Sequence, residues 1–138
     1  MQKNDQTIIE KLEKGRAEFA YRCVEEVIDK YNKDKELLKK YRSYSRKLPS
    51  MILSNGLGQT LSFIKAKDEK AYEILYEQLT KYIKSDNTIR IQMPSDKSDL
   101  TEWVISCNSE KYRYITQELL AFLNWLKRFA EGLIEEEE

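Results

Sequence analysis

The stretch LPSMILSNGLGQTLSFI, residues 48–64, combines the apolar spacing of an α-helix with two helix-weakening glycines. Its large apolar residues recur at the interval of one helical face: Leu53, Leu57, Leu61 and Ile64. Gly56 and Gly58 should each destabilise such a helix by about 1 kcal/mol relative to alanine. Pro49 is favoured at the first position of a helix. The pattern therefore predicts a helix over residues 49–66 that contains both glycines.

Three structures would explain glycines at these positions. Asn55-Gly56 suits a β-hairpin turn, but a hairpin needs alternating apolar residues on both sides, and the flanks have helical spacing. A phosphate-binding glycine loop follows a strand and has a lysine directly after its last glycine, whereas the next lysine here is Lys65. We therefore expect Asn55 and Gln59 to hydrogen-bond at a close contact with another helix backbone. Small side chains permit that approach: Ser54, Gly56, Gly58 and Thr60.

Hydrophobic periodicity predicts helices along most of the remaining chain. They are expected over residues 7–31, 34–46, 68–84, 99–107 and 109–134. Suitable N-cap residues precede them: Asp34, Asp68, Asp99, and either Asn108 or Ser109. Residues 85–98 are predicted to form a loop, because their one short alternating stretch has no partner strand. We predict an all-α fold, a compact single-domain bundle of about six helices over residues 1–138, with frayed termini at 1–6 and 135–138.

The first and last helices are predicted to supply much of the core. In the first helix the apolar positions lie mostly four apart: Ile8, Leu12, Phe19, Cys23, Val27 and Tyr31. In the last helix they step alternately by four and three: Ile115, Leu119, Phe122, Leu126, Phe129 and Leu133. Such a seam is typical of a helix that packs against several others.

The composition gives little support to catalysis or metal binding. Histidine is absent, which removes the commonest general base and metal ligand. Cys23 and Cys107 have no metal-ligand spacing and are expected to be small buried hydrophobic residues. Adjacent acids such as Glu25 and Glu26 point to different sides of a helix. We expect no catalytic residue, no metal site and no cofactor.

No apolar run approaches the ~20 residues that span a bilayer, and no signal peptide is recognisable. We therefore expect a cytoplasmic protein with free thiols and no membrane association.

The charge distribution is polarised although the formal net charge of the chain is zero. Residues 30–47 contain eight basic residues and two acidic ones, for a net charge of +6. Residues 131–138 contain five glutamates and no basic residue, for a net charge of −5. Such a dipolar surface favours oppositely charged partners at each end.

Arg42, Arg46 and Lys47 form the first candidate binding cluster, interleaved with Tyr41 and Tyr44. Cations with neighbouring aromatic rings suit contacts to RNA phosphates, bases or ribose. A solvated helix surface with inward-pointing tyrosines explains the same pattern equally well.

Lys127 and Arg128, which follow Trp125, form the second candidate basic element. Neither element offers an evident means of reading bases. If they bind RNA, recognition of backbone or shape is expected rather than of sequence.

Three segments resemble one protein family, the small subunit of type III-B CRISPR effector complexes, the Cmr RNA-guided machines. The most specific is KLPSMILSNGLGQTLSF, residues 47–63. RAEFAY at residues 16–21 and LLAFLNWLKRFA at 119–130 agree with it in order along the chain. The resemblance thus covers essentially the whole chain, apart from residues 85–98 and the acidic tail, residues 131–138.

The resemblance implies an all-helical, non-catalytic subunit of the prokaryotic cytoplasm. Several copies would stack in a minor filament beside the backbone subunits and line the groove that holds CRISPR RNA paired with target RNA. Target cleavage would belong to the backbone subunit, and polymerase-type chemistry to the large subunit. The expected RNA-binding residues are Arg42, Arg46, Lys47, Lys127 and Arg128. Lys47 and the Lys127-Arg128 pair lie in matched segments, whereas Arg42 and Arg46 rest more on charge density.

Two other classes of function remain. A helical adaptor would bind only protein and dock its basic face on an acidic neighbour. An enzyme would require a catalytic group that the residue pattern does not reveal. In addition, the opposite charge blocks suggest that the acidic tail of one copy meets the basic segment of the next.

Overall fold

The structure is a computed structural model that describes the backbone of residues 2–135 and the side chains of residues 10–135. Over this range the chain forms α1 (Gln2–Lys30), α2 (Lys35–Asn55), α3 (Leu57–Ala66), α4 (Lys70–Lys84), α5 (Leu100–Ser106) and α6 (Ser109–Leu133). No strand occurs among the described residues, and the predicted all-α fold is confirmed. The side chain of Ile8, the end of the acidic tail at residues 136–138 and the fraying expected there lie outside the described residues.

Three of the six predicted helix starts are confirmed, because they depend on local capping, whereas α1 begins at Gln2 rather than at residue 7. The side chains of Asp34, Asp99 and Asn108 accept hydrogen bonds from the backbone N–H three residues further on, at 3.1, 3.3 and 2.9 Å. The predicted cap at Asp68 is wrong, since Glu69 precedes α4 and makes no side-chain capping bond. Residues 85–98 are irregular, as predicted.

The predicted boundary at Pro49 is wrong. The helix α2 continues through Pro49 to Asn55, and the chain breaks instead at Gly56, where φ is +87°. An interior proline weakens a helix by about 3 kcal/mol, because it removes one hydrogen bond and crowds the preceding turn. Here that loss is offset by packing, since Leu48, Pro49 and Ile52 are all buried. Glycine accepts the positive φ that separates α2 from α3.

The break at Gly56 also contradicts the predicted helical face that Leu53 was expected to share with Leu57, Leu61 and Ile64. Leu53 is 76% exposed, whereas Leu57, Leu61 and Ile64 are almost completely buried. The apolar spacing runs without a gap from Leu53 to Leu57 in the sequence, but Gly56 changes the direction of the chain between them. The two leucines therefore belong to different helices and face different ways.

The close approach expected at the glycines is made by side chains rather than by a helix backbone. A β-carbon added at Gly58 would lie 3.4 Å from Tyr112 Oη and 3.5 Å from Ile105 Cγ2. The Gly58 N–H donates to Tyr112 Oη at 2.8 Å. Asn55 and Gln59 are exposed, and no hydrogen bond joins them in the described chain.

The helix α6 packs against α1 along one flank and against α2 along another. Gly58, just after α2, meets Tyr112 near the start of α6, while Leu38 near the start of α2 shares a groove with Leu133. The helices α2 and α6 are therefore antiparallel.

At the centre of the bundle the rings of Tyr82 and Phe122 stack with centroids 4.5 Å apart, and Phe19 packs edge-on against both.

Candidate nucleic-acid interface

The predicted cations of α2 lie on more than one side of that helix. Arg42 and Arg46 are one helical turn apart and share a face. Arg46 is exposed, whereas Arg42 is half-buried and its Nε atom is buried. Lys47 is exposed as well, but consecutive residues diverge by about 100° around a helix. Arg46 and Lys47 therefore form a broad basic edge rather than a tight cluster.

The two tyrosines that interleave these cations are committed to contacts within the protein. Tyr41 is fully buried and donates a hydrogen bond to Gln78 Oε1 at 2.6 Å, and burial raises the pKa of its phenol. Tyr44 stacks on Tyr72 at 4.0 Å and donates to Glu69, a hydrogen bond that raises the pKa of Tyr44 to about 12. On this point the inward-pointing alternative is correct.

Lys127 and Arg128 lie on different sides of α6. Arg128 lines a groove of about 460 Å³ together with Glu13, Ala121 and Trp125, at the contact with α1. Lys127 is rotated by about 100° around the helix from Arg128, away from this groove, and is half-buried. Because α2 and α6 are antiparallel, Arg42 and Lys127 fall within about one helical turn of the same level in the bundle. The predicted cations thus form two separate surfaces. Arg128 belongs to the one at the contact with α1, and the other four belong to the α2 side: Arg42, Arg46, Lys47 and Lys127.

Four of the five predicted cations, of which Lys127 is half-buried and the other three are exposed, are electrostatically available. Within the described part of the chain, none of Arg46, Lys47, Lys127 and Arg128 forms an ion pair. The Lys47 ammonium lies 5.9 Å from the centre of the Tyr44 ring, a contact that orients the cation without neutralising it. Such cations can contact phosphates without first breaking a salt bridge.

A buried polar cluster that the sequence pattern did not predict joins α1, α4 and α6. Arg16 Nη2 lies 3.2 Å from Glu118 Oε2, and Arg16 Nε donates to Tyr82 Oη at 2.8 Å. Arg16 Nη1 also pairs with Glu13 at 2.7 Å. Burial lowers the pKa of Arg16, but the hydrogen bond to Tyr82 and the nearby acidic groups outweigh it and raise that pKa overall. The cluster connects α1 and α6, the two helices that contain the RAEFAY and LLAFLNWLKRFA segments.

Glu118 also fixes the irregular segment between α4 and α5. Its Oε1 atom accepts hydrogen bonds from the backbone N–H groups of Ile89 at 2.7 Å and Arg90 at 3.2 Å. One sequence signal could have identified this residue, because Glu118 lies within the buried stripe between Ile115 and Phe122. A carboxylate at a core position requires buried donors.

This segment and the first turns of α6 enclose a second groove, of about 480 Å³. Its wall contains aromatic, amide and cationic side chains: Arg90, Gln92, Trp103, Lys111 and Tyr114. The Arg90 guanidinium lies 5.6 Å from the centre of the Tyr114 ring. The sequence pattern did not predict this arrangement, because Arg90 and Tyr114 are separated by 24 positions and by α5.

The cysteines lie apart from these surfaces. Cys23 is buried, and burial raises the pKa of its thiol to about 12, while Cys107 is half-buried. Among the described residues, no group of three or more histidine, cysteine or acidic side chains is arranged to hold a metal ion. None of the described helices has the length and apolar character needed to cross a membrane.

Comparisons with known proteins agree on one family. The family model described as CRISPR-associated protein (Cas_Cmr5) matches residues 12–133. The CRISPR system Cmr subunit Cmr5 of Thermus thermophilus is 31% identical over 96 residues, which cover 70% of this chain and 76% of that relative. A crystal structure of a CRISPR-associated Cmr5 family protein from the same organism matches with a TM-score of 0.65 and 26% identity. That match covers 90% of this chain and 97% of the solved chain.

Proposed function

Because the chain belongs to the CRISPR-associated Cmr5 family, we propose that it is a non-catalytic structural subunit of a type III-B CRISPR effector complex. It contacts the backbone of CRISPR RNA or target RNA through basic side chains, in the cytoplasm. Cleavage of target RNA belongs to the backbone subunits of the complex, and polymerase-type chemistry to the large subunit. The chain contributes a positively charged scaffold.

The observation that carries the RNA contact is the exposed, unpaired state of Arg46 and Lys47 on α2 within the described residues. Arg42 and Lys127 extend this surface, and Arg128 supplies a cation on the α1 flank of α6. About four cations per copy on a single strand give a log–log salt slope of roughly −3. One copy binds weakly, and neighbouring copies add contacts through effective concentration.

Stacking of copies is supported by apolar surfaces at opposite ends of the bundle. Leu53 and Ile105 are 76% and 65% exposed near the α2–α3 break. At the other end, Ile28, Leu38 and Leu133 line an open groove of about 180 Å³. Different surfaces meeting head to tail generate an open filament when the rotation between successive copies does not close into a ring. Glu135 lines the same groove as Lys35, which brings opposite charges together at this end of the bundle.

A second function, a purely protein-binding adaptor, is favoured by the burial of Tyr41 and the internal stacking of Tyr44. The α2 surface consequently presents cations without free aromatic rings. Such a surface also suits an acidic protein neighbour.

Charge reversal in the assembled complex separates these functions. We expect Arg46→Glu combined with Lys47→Glu to leave assembly intact and to weaken target RNA binding. The matched control, Lys81→Glu combined with Lys97→Glu, changes the charge equally at exposed lysines outside both surfaces. Failure of the Arg46/Lys47 variant to assemble, with normal assembly of the control, would establish the adaptor instead.

A further inference from the structure

The groove between residues 89–94 and the start of α6 has the size of a small-ligand site. Its volume of about 480 Å³ lies within the range of pockets that enclose small molecules. Tyr114 lies on the same flank of α6 as Arg128, which is at the contact with α1, so the groove is separate from the α2 surface. Tyr114 and Arg128 are fourteen positions apart, about 21 Å along the helix, so the groove is also distinct from the one that Arg128 lines.

Buried contacts hold the irregular wall of this groove in place. Glu118, itself 4% exposed, accepts the backbone N–H groups of Ile89 and Arg90. Three residues later the N–H of Met93 donates to the carbonyl oxygen of Ile83 at 2.8 Å. The backbone at Arg90 is therefore held in place before any ligand binds. This reduces the free-energy cost of ordering the segment on binding.

The side chains of the groove combine flat surfaces with two cations, Arg90 and Lys111, and one carboxylate, Glu110. The Arg90 guanidinium stands over the Tyr114 ring, and the Tyr114 hydroxyl donates to Glu110 at 3.1 Å, which fixes the ring. Trp103, only 8% exposed, forms part of the inner wall. Arg90 and Lys111 form no ion pair within the described residues.

We propose that this groove binds an unpaired nucleotide of single-stranded RNA, with the base stacked on the Arg90–Tyr114 pair and the phosphate at Lys111. Aromatic rings and guanidinium planes are the usual stacking partners of splayed-out bases. An acidic peptide would use the two cations but would leave the aromatic wall without a role. The proposal rests on the proposed function, because it assumes that RNA passes this subunit.

The test is photo-crosslinking of a 4-thiouridine-substituted target RNA in the assembled complex, with crosslinked peptides mapped by mass spectrometry. We expect crosslinks at the peptides that contain Arg90 or Tyr114. Tyr114→Ala should reduce their yield at least about five-fold, the effect of losing one base–aromatic stack. Tyr114→Phe keeps the ring and should crosslink like the parent chain. Arg90→Gln should reduce the yield more than Arg113→Gln, which removes the same charge from α6 outside the groove.

The outcomes separate this site from the proposed function. Crosslinks at Arg46 or Lys47 without any in the groove would overturn the nucleotide site and leave the proposed function standing. Absence of crosslinks anywhere on the chain would overturn both. Loss of assembly in Tyr114→Ala, while its thermal unfolding remains that of a folded protein, would show that the groove holds a partner protein and would also overturn the nucleotide site.

Discussion

Arg16 of α1 and Glu118 of α6 form a buried ion pair with 3.2 Å between Nη2 and Oε2, and their side chains are only 7% and 4% exposed. Tyr82 bridges them, because it accepts from Arg16 and donates to Glu118 at 2.9 Å. The other Glu118 oxygen holds the backbone of residues 89 and 90. One carboxylate therefore joins three helices to the irregular segment that forms the candidate nucleotide groove.

Glu118→Gln should destabilise the protein by about 3 kcal/mol, because it leaves the Arg16 cation without its buried anionic partner. The value lies at the lower end for broken buried pairs, since Arg16 retains Glu13. Urea unfolding measures the change, with Glu77→Gln on the exposed side of α4 as the control. A loss below about 1 kcal/mol would mean that the pair contributes no more than a surface salt bridge.

Gly56→Ala should destabilise the protein by about 1–3 kcal/mol, since φ of +87° with ψ of 160° is a conformation that only glycine adopts without strain. Gly132→Ala is the matched control, because a β-carbon there meets nothing within 4 Å. Near the end of α6 it should be neutral or stabilise by up to about 1 kcal/mol through helix propensity. Equal effects of the two substitutions in thermal unfolding would contradict the assigned break at Gly56.

Asp99 should make the stability of the protein depend on acid pH. The hydrogen bond from Lys65, at 2.6 Å, is the main cause that lowers the pKa of Asp99. A lowered folded-state pKa stabilises the native protein above the unfolded value, near 3.9, and this contribution is lost as pH falls through the folded-state pKa.

Asp99→Asn should remove that pH-dependent contribution while it keeps a competent N-cap for α5. Because the pair is partly exposed, the loss of stability at neutral pH should be at most about 1 kcal/mol. The measurement is urea unfolding between neutral pH and about pH 3, below the unfolded-state pKa, with Asp96→Asn as the control in the same segment. If the parent and Asp99→Asn chains lose stability in parallel as pH falls, the assigned role of the Lys65 contact is wrong.

The thiols should differ in reactivity. Because burial raises the pKa of Cys23 to about 12, very little thiolate forms at neutral pH. Cys107 is half-buried at the end of α5 and should react first with a disulfide reagent in the native protein. Titration of the Cys23→Ala and Cys107→Ala chains assigns the rates. Faster reaction at Cys23 would show that this part of the core opens readily.

Features determined by neighbouring residues were predictable from the sequence. The caps at Asp34, Asp99 and Asn108 depend on a side chain and a backbone group three residues away. The boundary at Pro49 was wrong because tertiary packing retained a proline inside α2. The role of Gly56 was missed because helical spacing continues across a change in chain direction.

The candidate sites depended on contacts between distant residues. Arg16 and Glu118 are 102 positions apart, so no local pattern pairs them. Tyr41 and Tyr44 lie among cations in the sequence, yet both are held by α4 and the residue before it. The sequence identified the exposed cations Arg46 and Lys47, but it did not place them relative to Arg128 or reveal the Arg90–Tyr114 groove.

The central claim is that this Cmr5-family chain contacts RNA through its basic side chains within the effector complex. The most direct measurement compares target RNA affinity of complexes that contain the parent chain, Arg46→Glu/Lys47→Glu, or the Lys81→Glu/Lys97→Glu control, across a range of salt concentrations. We predict equal assembly of all three, with weaker binding and a shallower salt dependence only for the Arg46/Lys47 variant. Unchanged affinity and salt slope in that variant would contradict the assigned RNA contact.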